Sequence, residues 1–357
     1  MSTENKTNAC ASTCKKTSIG GQALMEGIMM RGPEKSAMAV RNAKGKIIVE
    51  INDNPKPLKV SKIPFLRGIF NMVSSLKGGY YYLMRSADIA IADAEEADRE
   101  EAAKKAEADT SETTEATESV AEEASTEETK AEEPKEENKT SLATTIVMVL
   151  GVVLGVALAI GLFIALPAVL YKLLDWVLPP NLSAKTIGMS IFRSAFEAVL
   201  KIILLVVYML VVARMKEIRR VFMYHGAEHK TIFCYEAGLD LTVENIRTQS
   251  RFHPRCGTSF LVLVLLVSFF LGIFIPASIA LWLRILLKIA LLPLTIGIGY
   301  ELIKLAGRKD NAFTRIISAP GVWLQHITTV EPEDDMIECA IIAMNEVIPE
   351  DTTKDNW

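Results

Sequence analysis

The chain has 357 residues, half of them hydrophobic, and its mean hydropathy is +0.25 although 23% of its residues are charged. Charge and apolar surface must therefore be segregated along the sequence, which excludes a single evenly mixed soluble domain. The formal net charge is −4, and no nucleic-acid partner is expected.

Residues 1–18 read as a disordered polar tail. It holds Cys10 and Cys14, whose C-x3-C spacing is loose for zinc. No cleavable signal peptide is evident, because the first long apolar run starts far from the N-terminus. Within the segment 19–90, "GGQALMEGIMMRGP" (Gly20 to Pro33) is rich in Gly and Met and takes no clear assignment. "AMAVRNAKGKIIVE" has apolar strand residues flanking Asn42-Ala-Lys-Gly45 and predicts a hairpin. From Pro64 to about Ile91, apolar residues recur at three- and four-residue steps, from Phe65 and Leu66 to Leu83 and Met84. That spacing predicts an amphipathic helix, suited to a membrane surface or to the core of a small domain. Residues 91–140 carry 19 acidic against 6 basic side chains, a local net of −13, so the rest of the chain carries +9. With hardly any large apolar residue, this stretch predicts a disordered acidic linker with helical bursts.

Ile146 to Leu170 runs 25 residues without a charge, ample to cross a bilayer. A second apolar segment spans about Ile191 to Met215. A third and a fourth share Phe260 to Leu305, as a hairpin turning between Pro276 and Arg284. The Gly151-x-x-x-Gly155 step in the first span predicts packing against a neighbouring helix. Basic residues crowd the connection from Arg214 to Arg255 and the tail from Arg308 to Arg315, whereas the 178–185 connection has one. The positive-inside rule then puts both termini and the central loop in the cytoplasm of a multi-pass plasma-membrane protein. Its five cysteines would stay reduced there, with Cys339 as a buried helix residue. Arg193, Glu197 and Lys201 recur at four-residue steps on the second span, and Lys288 lies in the fourth. They either pair among themselves or receive an anionic headgroup. "SAPGVWLQHITTVEP" (318–332) predicts a connection, and the acids after Pro332 predict the N-terminus of a last helix.

The expected fold is mainly α: a four-helix transmembrane bundle, in 141–215 and 260–306, with a cytosolic α+β cap. That cap assembles from the N-terminal segment 19–90, the central loop 216–259 and the C-terminal segment 307–357.

The chemistry concentrates in "YHGAEHKTIFCYEAG" (Tyr224 to Gly238). On a helix, His225 and His229 project from one face and can reach one ion, with Glu228 beside them. The order H-x-x-E-H is that of the inverzincins, in which two histidines bind zinc and the acid acts as base. A third ligand can come from "RFHPRCGTSF", where His253 and Cys256 sit in a knuckle-like turn before the third span. Cys234, Glu236 and Glu244 are further options. Three of the four histidines fall within 224–256. A phosphate-contacting cluster at a membrane surface, or ordinary structure, would use the same residue types.

"GGQALMEGIMMRGP", "YHGAEHKTIFCYEAG", "LTVENIRTQSRFHPRCGTSF" and "PGVWLQHITTVEPEDDMIECAI" together resemble the signature blocks of the YqhQ-like family of bacterial membrane proteins. The resemblance implies a domain of unknown function, at times labelled a predicted metal-dependent enzyme. Two functional expectations follow from the residues. One is a divalent-metal site, with zinc the expected ion, His225, His229, His253 and Cys256 as candidate ligands and Glu228 as general base of a hydrolase. The other is a non-enzymatic membrane scaffold docking a protein or lipid-linked partner at the cytosolic face. Transport fits less well, since four helices make a small pore and no inverted repeat is evident.

Overall fold

The computed structural model describes residues 16–56, 63–111, 142–177, 187–276, 278–308, 311–351 and 355. Four strands open the described chain: β1 (Gly20–Leu24), β2 (Gly27–Arg31), β3 (Lys35–Arg41) and β4 (Ile47–Asp53). They form one antiparallel meander in the order β1-β2-β3-β4. The Gly- and Met-rich block is thus a hairpin, turning at Met25-Glu26 with Glu26 at φ 50°. The next hairpin turns through Asn42 to Lys46, where Gly45 takes the φ of +80° that a side chain would resist.

Alternation along β2 and β3 decides what packs on each face. Ile28, Met30, Ala37 and Ala39 point to one side, where they meet α5 (Lys216–Glu236) and α11 (Asp334–Val347) in the larger buried cluster. Met29, Met38, Leu24 and Val40 point to the other and cover Tyr82 of α1 (Leu66–Ser111). Segments from three distant parts of the chain therefore share one core.

The remaining helices are α2 (Leu142–Ile160), α3 (Leu166–Val177), α4 (Ile187–Val212), α6 (Val243–Arg247), α7 (Gly257–Ile273), α8 (Leu281–Ala290), α9 (Leu292–Arg308) and α10 (Ala312–Thr328). One π turn, Gly161–Ala165, joins α2 to α3. Among the described residues, two continuous helices are long and apolar enough to cross a membrane, Leu150–Val177 and Ile187–Val212. A third candidate exists if α8 and α9, bent by 45° at their junction, count as one span. The described residues therefore show two or three candidate spans where four were expected. The 17 residues of α7 rise about 26 Å, short of a ~30 Å hydrocarbon core.

Four local expectations also change. Thr17, in the tail expected to be disordered, is buried, and its hydroxyl and the Ser18 N–H both donate to Asp355. Residues 91–111, expected in the linker, continue α1, since Ala, Glu, Lys and Arg favour a helix and Glu95 pairs with Arg99 one turn on. Residues 112–140 of that linker, with Cys10 and Cys14, lie outside the described residues. The expected connection at 318–328 is part of α10, started by an Asn311–Thr314 capping box. Pro320 lies inside that helix, on its exposed side with Ile316 one turn before it. At Gly151 and Gly155 nothing lies within 4 Å of an added Cβ, so no helix among the described residues packs there.

Gly226 bears on the position of α5. A Cβ there would stand 2.1 Å from the Val330 carbonyl, and the Val330 N–H donates to the Phe222 carbonyl at 2.9 Å. The glycine lets the segment after α10 lie directly on α5. Gly226→Ala should destabilise by about 1–3 kcal/mol and lower the thermal midpoint in detergent. Gly151→Ala, in open space on a helix, should leave it unchanged or raise it slightly.

Candidate metal centre

Helix α5 runs between the edge strand β1 and α11, so the turn from Tyr224 to Thr231 lies inside the cap. His229 and Glu228 are buried, and His225 keeps a small exposure to a cavity of about 370 Å³. The cavity wall includes Gly21, His225, Glu228, His229, His253 and Cys256.

Both histidines are oriented by main-chain carbonyls. His225 Nδ1 lies 2.9 Å from the Thr328 carbonyl, and His229 Nδ1 lies 2.6 Å from the Arg251 carbonyl. A carbonyl can only accept, so each Nδ1 carries a proton, and in the neutral ring each Nε2 keeps its lone pair. His225 Nε2 is 3.1 Å from Cys256 Sγ. One ring nitrogen of each histidine and that sulfur lie within 4.8 Å of one another. Cys256 reaches this point because it is the N-cap of α7, where its sulfur accepts from the Thr258 N–H at 3.4 Å.

His253 is brought into the same cavity but not into this group of three. Its Nε2 lies 3.3 Å from an Arg255 guanidinium nitrogen, and its ring packs on Phe233 and His229. Burial, with Arg255 beside it, pushes His253 well below the ordinary imidazole value. Cys234 and Glu236 lie elsewhere: Cys234 against the Asp240 carbonyl, Glu236 in a buried ion pair with Arg255.

Electrostatics follow from this packing. Burial would raise the Cys256 thiol, but His225 and His229 outweigh it and hold it well below the usual thiol range. Burial likewise opposes charge on His225, yet the Cys256 sulfur prevails and the imidazole is pushed up to about 9. Glu228 is pushed up by burial, against the pull of both histidines and the Gly21 N–H, which donates to its Oε1 at 3.0 Å.

The donor set fits a cation. Two Nε2 lone pairs and one sulfur converge, and a single thiol proton can satisfy only one of the nitrogens. Thiolate and imidazole suit zinc among divalent ions, and outward N–H to carbonyl bonds are the usual support of metal-binding histidines.

Residues not singled out from the sequence fix the surroundings. Gln325, fully buried on α10, accepts from the His253 N–H and donates to its carbonyl, both at 2.7 Å. Arg255 also donates to the Thr17 carbonyl. The only sequence signal for Gln325 was an amide in an otherwise apolar stretch, and nothing local pointed to Gly21 or Thr328.

Among solved structures no match is found. The chain is 33% identical over 338 residues, 92% of each chain, to the Uncharacterized protein YqhQ of Bacillus subtilis (strain 168). The model of the family described as Protein of unknown function (DUF1385) matches residues 63–350. The chain is therefore a member of the DUF1385 family, alongside its YqhQ relative.

Proposed function

We propose that this chain is an integral membrane protein whose cap carries a divalent-metal centre, held by His225, His229 and Cys256, and used in hydrolysis. The observation that carries the reading is the pair of carbonyl-anchored imidazoles, whose free Nε2 atoms meet one cysteine sulfur inside a cavity. A zinc ion in such a site would supply a Lewis acid and lower the pKa of water bound to it.

The chain's own groups supply the rest. The Gly21 N–H holds one oxygen of Glu228, which leaves the other to take a proton from water in the cavity. His225 and His229 depress the Cys256 thiol, which favours the thiolate form that ligation needs. His253, whose Nε2 faces the Arg255 guanidinium, lines the cavity without offering that nitrogen to the ion. Zinc as the ion, Glu228 as general base, a plasma-membrane location and cytoplasmic termini complete the reading. They rest on ligand chemistry, the motif order and the asymmetry of basic residues.

Elemental mass spectrometry of protein purified without chelators should find about one zinc per chain, and His225→Ala/His229→Ala should lose it. Absence of metal from folded wild type overturns the reading. Glu228→Gln should keep the metal and lose hydrolysis by about 10²- to 10⁴-fold on any substrate found. A variant with full turnover removes Glu228 as base. In the metal-free protein, Cys256 should be alkylated faster than Cys234 or Cys339 at pH 7, and gain less in rate from pH 7 to pH 9, because its thiol is depressed whereas theirs are raised. Peptide mapping after a short pulse of iodoacetamide checks this.

A further inference from the structure

A second polar cluster lies far from the cap, among the apolar helices. Arg193, Lys201 and Arg284, all buried, and the half-buried Lys288 gather around a single buried carboxylate, Glu197. Arg193 and Arg284 approach Glu197 at 3.3 and 3.4 Å, and Lys288 also contacts it. Asp175, half-buried on α3, adds its field to Arg193, which also lies 4.7 Å over the Tyr171 ring. Four cations thus share two carboxylates, and only one of those is fully inside.

The excess is localised. Lys201 faces no carboxylate among the described residues; its Nζ donates to Ser268 Oγ at 3.3 Å. Arg284 spends Nη1 on the carbonyls of Ile275 and Pro276, while its buried Nη2 makes no hydrogen bond. Ser194 Oγ is also buried without a hydrogen-bond partner, 3.1 Å from where a Cβ on Gly272 would stand. A buried guanidinium nitrogen left unsatisfied is costly, and an acceptor would relieve it.

Lys201, Lys288 and Ser268 line a cavity of about 250 Å³. The rest of its wall is almost wholly apolar and includes Phe163, Ile164 and Thr295. Phe163 and Ile164 belong to the π turn, an interruption that in helices often accompanies a binding site. Two of the four cations, Lys201 and Lys288, thus open on a cavity whose wall also contains the π turn.

We propose that this cavity binds the anionic head of an amphiphile, a phosphate monoester or carboxylate on an alkyl chain. Lys201 and Lys288 contact the head, and the Phe163–Ile164 wall receives the start of the chain. An anion offsets the surplus charge that Glu197 leaves, and the apolar wall discriminates against a free ion.

The test uses full-length protein in phosphatidylcholine nanodiscs with radiolabelled dodecyl phosphate, read against empty nanodiscs. Saturable binding of about one probe per chain is expected. Dodecanol and inorganic phosphate, each at the same concentration, should fail to compete, whereas dodecanoate should compete. Lys201→Met should weaken binding at least tenfold, and Lys201→Arg should retain it. The absence of saturable binding, or Lys201→Met binding as wild type does, overturns the proposal. Equal competition by dodecanol assigns the cavity to alkyl chains alone, and full competition by inorganic phosphate assigns it to a free anion; either result also overturns it. Should Lys201→Met fail to fold, the competition series on wild type decides alone. Zinc content should be unchanged in Lys201→Arg, which separates this site from the cap centre.

Discussion

A helical turn that carries His225, Glu228 and His229 into the interior needs polar partners from elsewhere in the chain to orient them, and the cap is arranged around that demand. The answers come from four segments: the Thr328 carbonyl at the end of α10, the Arg251 carbonyl before α7, the Cys256 sulfur at its N-cap, and the Gly21 N–H on β1. A buried polar group without a partner costs about 1–3 kcal/mol. Displacing any of these segments therefore penalises the others. Polar satisfaction and construction of the site are here one constraint.

Stiffness around the turn has the same origin. Arg255 and Glu236 form a buried pair, and each also ties down the chain near Thr17: Arg255 through its carbonyl, Glu236 through its N–H. Desolvating such a pair offsets most of its Coulomb gain, so its main consequence is positional. Breaking one partner would leave a lone buried charge, which holds the 253–256 turn in a single register. Gln325 does the same without charge by gripping both main-chain groups of His253. The position of Cys256 relative to the two imidazoles thus depends on residues that never touch the sulfur.

Much of this was legible, and the limits have physical causes. The i, i+4 spacing of His225 and His229 specifies a shared face whatever the tertiary context, and α11 announces itself by the acids after Pro332. The β3–β4 hairpin follows from Asn42 and Gly45 at its turn. What periodicity cannot carry is contact between distant segments. Gly226 looks like a weak helix residue until the Val330 carbonyl is found against it. His253 has the right chemistry and falls in the right cavity, but Arg255, two residues on, occupies its Nε2. Hydropathy counts apolar residues, not helix length, so α7 and the bent α8–α9 pair looked like two full spans. Pro320 suggested a connection because the sequence does not reveal that this turn of α10 lies on its exposed side.

The two polar clusters share a local pattern, ionisable residues four apart on one helix, and differ in the sign of what they lack. In the cap, both imidazoles turn Nδ1 outward to a carbonyl, so ring nitrogens, the Cys256 sulfur and the second oxygen of Glu228 are left around one cavity. That set presents a surplus of acceptors that a cation can use. In the bundle, Arg193, Arg284 and Lys288 crowd Glu197, and Lys201 has only a hydroxyl. There the surplus is of donors and positive charge, which only an anion relieves. Hydrogen-bond capacity, counted atom by atom, therefore separates two sites that residue spacing alone makes look alike.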